Sequence, residues 1–347
     1  MVTKTIKNIC LWPKLESLGG PTSFQRRLMA GLQARGVEVH HNPEDPECQV
    51  ILLIGGTRHL GVLWRARRRG VRILQRLDGM NWLHRRRFMG VRYALRAEYA
   101  NLNLAFIRRF LADGVIYQSR FARAWWQRIY GGGERWQCVI YNGVDLNQFA
   151  PYGMHERPAD RWRVLVVEGH LRGGSALGLE NAIRFARALQ EQETRSVELW
   201  VAGDVPEAER GQVVSLAQDL SLTWTGVVSS QRIAYLDRSA HLLFSAELHP
   251  ACPNAVIEAL ACGLPVVGFD TGALAEIVIP SAGRVVPYGA DPWRLQPPQV
   301  EPLVTASREI LAHWETFSRG ARQRAEAAFG LEMMTAHYLE ALQTLLG

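Results

Sequence analysis

Residues 245–278, SAELHPACPNAVIEALACGLPVVGFDTGALAEIV, decide the fold. The run AHLLFSA (240–246) reads as a strand and leads into a short loop. A helix is expected from near Asn254 to Gly263, with Pro265 just beyond. Asn is a favoured cap residue, and Gly followed by Pro closes a helix. In an open α/β sheet, ligands sit at the C-terminal ends of the strands beside helix N-termini, whose free N–H groups and dipole favour phosphate. Glu258 lies one turn into this helix. Its carboxylate would repel a phosphate if it pointed forward; pointed sideways, it can accept hydrogen bonds from a ribose diol.

The same alternation of strand and helix extends in both directions. Ahead of the stretch come RVLVVEGH (163–170), a helix from about Leu179 to Glu193, VELWVAGD (197–204), a helix near 207–219, LTWTGVV (222–228) and a helix near 230–238. Earlier still, TIKNICLW (5–12), VEVHH, CQVILLIGG, VRILQRLD and GVIYQS read as strands separated by helices, the βαβ pattern of a parallel sheet. The loop PKLESLGGPTS precedes a helix in which Phe24, Leu28 and Leu32 follow helical spacing and Gly36 stands at the C-terminal cap. Between the two series lies YNGVDLNQFAPYGMHERPADR, rich in turn formers. Two domains are therefore expected, 1–150 and 151–325, with a C-terminal helix over 326–347 able to pack back on the first. The whole tail 300–346 reads as helical.

Residues 1–150 carry a charge balance of +14 and the remainder −7, within a chain of 347 residues and net charge +7. Such an asymmetry implies different partners for the two halves. The basic clusters WRARRRG and HRRRFMGVRYALR, with Trp64, Trp82, Phe88, Tyr93, Trp125 and Trp126 nearby, read either as a solvated face or as a surface for anionic lipid. No nucleic-acid module is visible. The five cysteines lack metal-ligand or disulfide-framework spacing, and no signal peptide or membrane span is read, so a cytoplasmic protein is expected, peripheral on the inner face of the membrane if the basic half binds lipid. SLGGPTS fails the GxGxxG test, and no acidic residue is placed as a dinucleotide site requires, which argues against a dehydrogenase.

ACPNAVIEALACGLPVVGFDTGALAEIV resembles the donor-site signature of retaining glycosyltransferases of family 4. VIYNGVDLNQF is similar to that family's linker, GGPTSFQRRLMAGLQARGVEVH to its first glycine-rich loop and helix, and DGVIYQSRFARAWW to the segment before the linker. The resemblance implies a GT-B fold, two Rossmann-like domains facing each other across a cleft. It implies that Glu258 binds the nucleotide's ribose, that Ala251, Cys252, Pro253, Asn254 and Ala255 meet the diphosphate and donor sugar, and that Gly19 and Gly20 approach the phosphate from the first domain.

Two positions depart from the family pattern. Its first glutamate should stand eight positions before Glu258, where this chain has Pro250; Glu247 and His249 are the candidates to contact the sugar instead. Its basic pair is missing too. His170 follows Gly169 where the arginine belongs, and Leu177 stands near the lysine's place, leaving Arg172 as the nearby cation. On the acceptor side, Asp78 ends the strand VRILQRLD, with Arg76 and Asn81 close by. The reading is thus a metal-independent retaining hexosyltransferase, taking a hexose from UDP-glucose or a similar UDP-sugar. The acceptor would be a saccharide or lipid-linked saccharide, in polysaccharide or glycolipid assembly. A non-catalytic nucleotide-sugar-binding protein and a GT-B sugar synthase or phosphorylase are the alternatives.

Overall fold

The computed structural model describes residues 6–16, 19–133, 136–171 and 176–346. It divides into two compact units, one of residues 1–143 with 331–347, the other of residues 144–330. The first boundary falls before the position expected near Ala150, because Val144 pairs with Gly330 and donates its N–H to the Phe329 carbonyl. Phe149 and Ala150 are buried in the second unit.

The first unit is a six-stranded parallel sheet in the order β2-β1-β3-β4-β5-β6, formed by β1 (Asn8–Trp12), β2 (Glu38–His40), β3 (Val50–Ile54), β4 (Arg72–Leu77), β5 (Gly114–Tyr117) and β6 (Gln137–Val139). Strand residues alternate between two cores, as period-two geometry requires. Ile9, Leu11, Leu52 and Leu74 pack under α1 (Gly20–Gln33) and the last helix of the chain, α12 (Leu331–Leu346). Cys10, Ile51, Leu53 and Ile73 face α2 (Leu60–Arg68) and the π-turn Ile107–Leu111 that ends α3 (Val91–Phe106). α12 joins this unit through Met334, Tyr338, Ala341 and Leu342, and the Thr335 side chain fills the space left by Gly31 on α1. α4 (Arg120–Tyr130) starts at Ser119, whose hydroxyl accepts the Ala122 N–H at 3.0 Å. Its tryptophans correct one sequence expectation: Trp125 and Trp126 are buried, the latter donating to the Asp78 carbonyl at 2.7 Å, so neither belongs to a surface patch.

The second unit is also six parallel strands, β12-β11-β10-β7-β8-β9, formed by β7 (Arg161–His170), β8 (Ser196–Asp204), β9 (Ser221–Gly226), β10 (Leu242–Phe244), β11 (Val266–Phe269) and β12 (Gly283–Val286). Counted from β7, this is the 3-2-1-4-5-6 doubly wound order, whose switch point lies between β7 and β10. α5 (Ala176–Gln192), α6 (Glu207–Ala217), α7 (Ser230–Ser239), α8 (Asn254–Ala261) and α9 (Leu274–Ile277) connect the strands. The tail, read as one helical stretch, is broken at His313 and Phe329–Gly330 into α10 (Glu301–Ala312), α11 (Trp314–Ala328) and α12. At the N-terminal edge of the sheet, Arg163 and Glu198 form a buried pair at 2.6 Å. Arg163 also donates to the Glu156 and Ser239 carbonyls, and its guanidinium lies 3.6 Å above the Trp200 ring.

Candidate functional site

The switch point predicts where a ligand binds, and the segment 245–258 lies there. α8 ends with both bonds of a Schellman motif: the Leu264 N–H donates to the Ala259 carbonyl at 2.8 Å, the Gly263 N–H to the Leu260 carbonyl at 3.0 Å, and Gly263 has φ +71°. Its start differs from the sequence reading. Pro253 occupies the cap position with extended backbone, and Asn254 is the first helical residue. Proline has no polar side chain to serve as a cap, and among the described residues no side-chain cap bond is made. The N-terminal amides of α8 thus form a donor set of the kind that holds anions.

Glu258 is buried on α8. Beneath it lies Asp237 of α7, which the sequence reading missed. Asp237 is fully buried, with the Cys262 thiol beside its carboxyl. Burial and the neighbouring Glu258 push its pKa well up, against the pull of Arg238. Burial beside a second carboxyl thus favours the neutral acid at Asp237. Asp237 sits in the helix YLDRS with no distinguishing spacing, so only the packing of α7 on α8 reveals it.

The loop carrying Glu247, His249 and Ala251 is clamped from several sides. His249 has φ +55°, its N–H reaches the Thr271 hydroxyl at 3.4 Å, and its ring stacks on Trp293 with centroids 3.5 Å apart and 12° between the planes. Burial lowers the His249 pKa to about 4, so the ring is neutral. The Ala273 N–H donates to the Pro250 carbonyl at 2.8 Å. Gly272 admits the chain: a Cβ there would stand 2.4 Å from the Pro250 nitrogen, and one on Gly178 would stand 2.0 Å from the Ala246 carbonyl oxygen. Pro250, Cys252 and Pro253 are buried, while Ala251, Asn254 and Ala255 are half-buried at the loop's rim.

Glu247 meets a second residue that the sequence reading passed over, Glu168 near the end of β7. One carboxyl comes from β7 and the other from the loop that follows β10. The Glu168 pKa is raised well above the carboxylate range by burial and by Glu247, whose backbone N–H hydrogen-bonds to it. The register of β7 against β8 shifts between Val167 and His170, a bulge of the kind that re-aims side chains at sites. Gly203 makes this possible: at φ +144° it lies under the Glu168 carbonyl, where a Cβ would come within 1.9 Å. Gly169 is exposed and His170 ends the strand, while Arg172 lies outside the described residues.

In the first unit, Gly19 has φ +134° at the N-cap of α1, and Gly20 is the helix's first residue, exposed at the C-terminal side of β1. Asp78 follows the last residue of β4. Burial raises its pKa, opposed by Arg76. Arg76 itself is committed to structure: it is buried, donates to Asn142 at 2.8 Å and stacks over Phe24. Asn81 is held by Asn101.

Residues 163–296 match the family model described as Glycosyl transferases group 1. The chain is 29% identical over 218 residues to the GDP-mannose-dependent alpha-(1-6)-phosphatidylinositol dimannoside mannosyltransferase of Mycobacterium tuberculosis, covering 62% of this chain and 53% of that protein. It therefore spans about half the length of that curated relative. Among solved structures, sucrose-phosphate synthase from Thermosynechococcus elongatus superposes with a TM-score of 0.75 at 21% identity, covering 98% of this chain and 99% of that one. HepE from Anabaena, solved with UDP and glucose, gives 0.68 at 16% identity over 98% of this chain and all of that one. The fold is the α/β two-domain GT-B fold of these structures, as the family resemblance implied.

Proposed function

We propose that this chain, whose sequence and fold are those of a family-4-type glycosyltransferase, moves a hexose from a nucleoside diphosphate sugar to a saccharide or lipid-linked saccharide, with retention of configuration and without a required metal. The observation that carries this reading is the uncapped N-terminus of α8 at the switch point of the second sheet, with the buried Glu258 one turn inside it. In this reading the α8 amides and the backbone of Ala251–Ala255 bind the diphosphate, and Glu258 accepts from the ribose diol. Arg172, outside the described residues, would add a cation. Glu247, paired with Glu168, faces the donor sugar in place of the glutamate missing at Pro250. His249, stacked and tied down on Trp293, shapes that loop. In the first unit, Gly19 and Gly20 offer backbone that a phosphate can approach closely, and Asp78 is the group to orient an acceptor hydroxyl.

Departure of the nucleoside diphosphate leaves charge on its terminal phosphate, and the amides of α8 are already aimed to stabilise it. The acceptor hydroxyl would attack from the face that the leaving group vacates, its proton passing to the departing phosphate oxygen, while the protein contributes positioning. UDP-glucose or a similar UDP-sugar is the first donor to test. GDP-mannose is the second, because the mycobacterial relative is named as dependent on it. Slow hydrolysis of the donor without acceptor, followed as release of UDP or GDP, tests transfer chemistry. Tight nucleotide binding with no turnover over a broad panel of donors would favour a non-catalytic binding protein.

A further inference from the structure

The outer face of α3 carries Val91, Leu95, Tyr99, Leu102 and Phe106, continued by Phe110 on the π-turn. Their spacing of three and four residues sets them in one stripe along the helix. All six are exposed, Leu95 at 67% and Phe110 at 61%. The inner face of the same helix is filled separately by Ala97, Asn101 and Ile107, so the stripe is surplus to what the core of the first unit needs. The Phe106 and Phe110 rings lie 5.1 Å apart and wall an open cleft of about 510 Å³, lined also by Leu60, Leu102, Arg108 and Arg109. Just before the helix, Phe88 is 85% exposed. Runs of exposed apolar side chains this long mark interaction surfaces.

The flanking charge selects among occupants. Arg92 and Arg96 are exposed along one border of the stripe and Arg109 stands at its end, with Arg68, Arg86 and Arg87 exposed nearby. Across the helix from Arg96, Glu98 is held by Arg85 at 2.6 Å and by His84 at 2.8 Å, its carboxyl lowered to about 2 by Arg85 first, so its charge is matched locally. A second copy of the chain would set arginines against arginines. A surface of anionic phospholipid would meet them with phosphates and take the apolar stripe among its acyl chains.

We propose that α3 with its π-turn is an interfacial helix that docks the first unit on anionic membrane, and that the adjoining cleft receives part of an acyl chain. This rests on the exposed stripe and its arginine border and stands whether or not the transferase reading holds. No helix among the described residues is long and apolar enough to cross a membrane.

Sedimentation of the full chain with vesicles tests it. Binding is expected to mixed phosphatidylcholine and phosphatidylglycerol at low salt, and to be weaker by about tenfold or more on phosphatidylcholine alone. The triple variant Leu95→Glu, Phe106→Glu, Phe110→Glu should lose about tenfold or more of the binding, and Arg92→Ala or Arg96→Ala about fivefold each. These side chains are exposed, so unchanged thermal unfolding verifies the fold. Failure of the wild type to sediment with acidic vesicles at low salt overturns the proposal. So does a dimer in light scattering that Phe110→Glu dissociates, since a second copy would then cover the stripe.

Discussion

Replacing Gly272 by alanine should distort the loop at the switch point and destabilise the second unit. Gly272 has φ +63°, and its added Cβ would meet the Pro250 nitrogen at 2.4 Å and the His249 carbonyl carbon at 2.5 Å. Left-handed backbone costs an alanine about 1–2 kcal/mol. The contact is with backbone, which cannot rotate away, and forced overpacking adds about 1–3 kcal/mol. The total is about 2–5 kcal/mol, or a fall in melting temperature of about 4–20 °C for a unit of this size. Gly226 is the matched control: its φ is +69°, and nothing stands within 4 Å of its Cβ. Gly226→Ala should therefore show only the backbone cost of about 1–2 kcal/mol. Urea or thermal unfolding of the two variants measures the difference, and nucleotide affinity measured alongside should fall only for Gly272→Ala. Equal, small losses of stability in both variants would refute the claim that this loop is clamped against Gly272.

Two further outcomes follow from buried charge. A glutamate in the unfolded chain ionises above about pH 4.3, whereas Glu168 holds its proton to higher pH because of burial and Glu247, so folding takes up a proton and stability falls as pH rises through that window. Glu168→Gln, which mimics the protonated acid, should be stable relative to wild type at pH 8 and flatten the dependence; an unchanged slope of melting temperature against pH would contradict the pairing. At the other edge of the sheet, Glu198→Gln leaves the Arg163 guanidinium buried without its counter-charge and should cost about 3–5 kcal/mol in chemical denaturation, with donor binding retained in the folded fraction.

Much of the architecture was legible because the signals were local. Apolar runs of β-branched residues marked the central strands, and the Gly263-Leu264-Pro265 stop gave the end of α8. β6, β11 and β12 were not read as separate strands: each is three or four residues long, and β11 lies within a stretch read for its helix and its Gly-Pro stop. Within the site, Glu258 stood out because its helix carries a recognisable sequence pattern. Glu168 and Asp237 did not, since their meaning depends on contacts with residues far along the chain, Glu247 and Glu258, and on a bulge that Gly203 permits. The surface patch was misjudged in part for the same reason. Tryptophans at 125 and 126 look like surface aromatics in an arginine-rich segment, yet α4 turns them into the core. The stripe on α3 was hidden because valine, leucine and phenylalanine in a helix ordinarily mean burial.

In the proposed function, the N-terminus of α8 and Glu258 bind a nucleoside diphosphate. Calorimetric titration of UDP and of GDP into the wild-type chain and into Glu258→Ala tests it most directly. One of these nucleotides should bind the wild type, with a loss of about tenfold or more in the variant, the worth of a charge-assisted hydrogen bond to the ribose. Inorganic pyrophosphate, which lacks the ribose, should bind both proteins alike. Equal nucleotide affinity in the two proteins, with the variant folded, would contradict it.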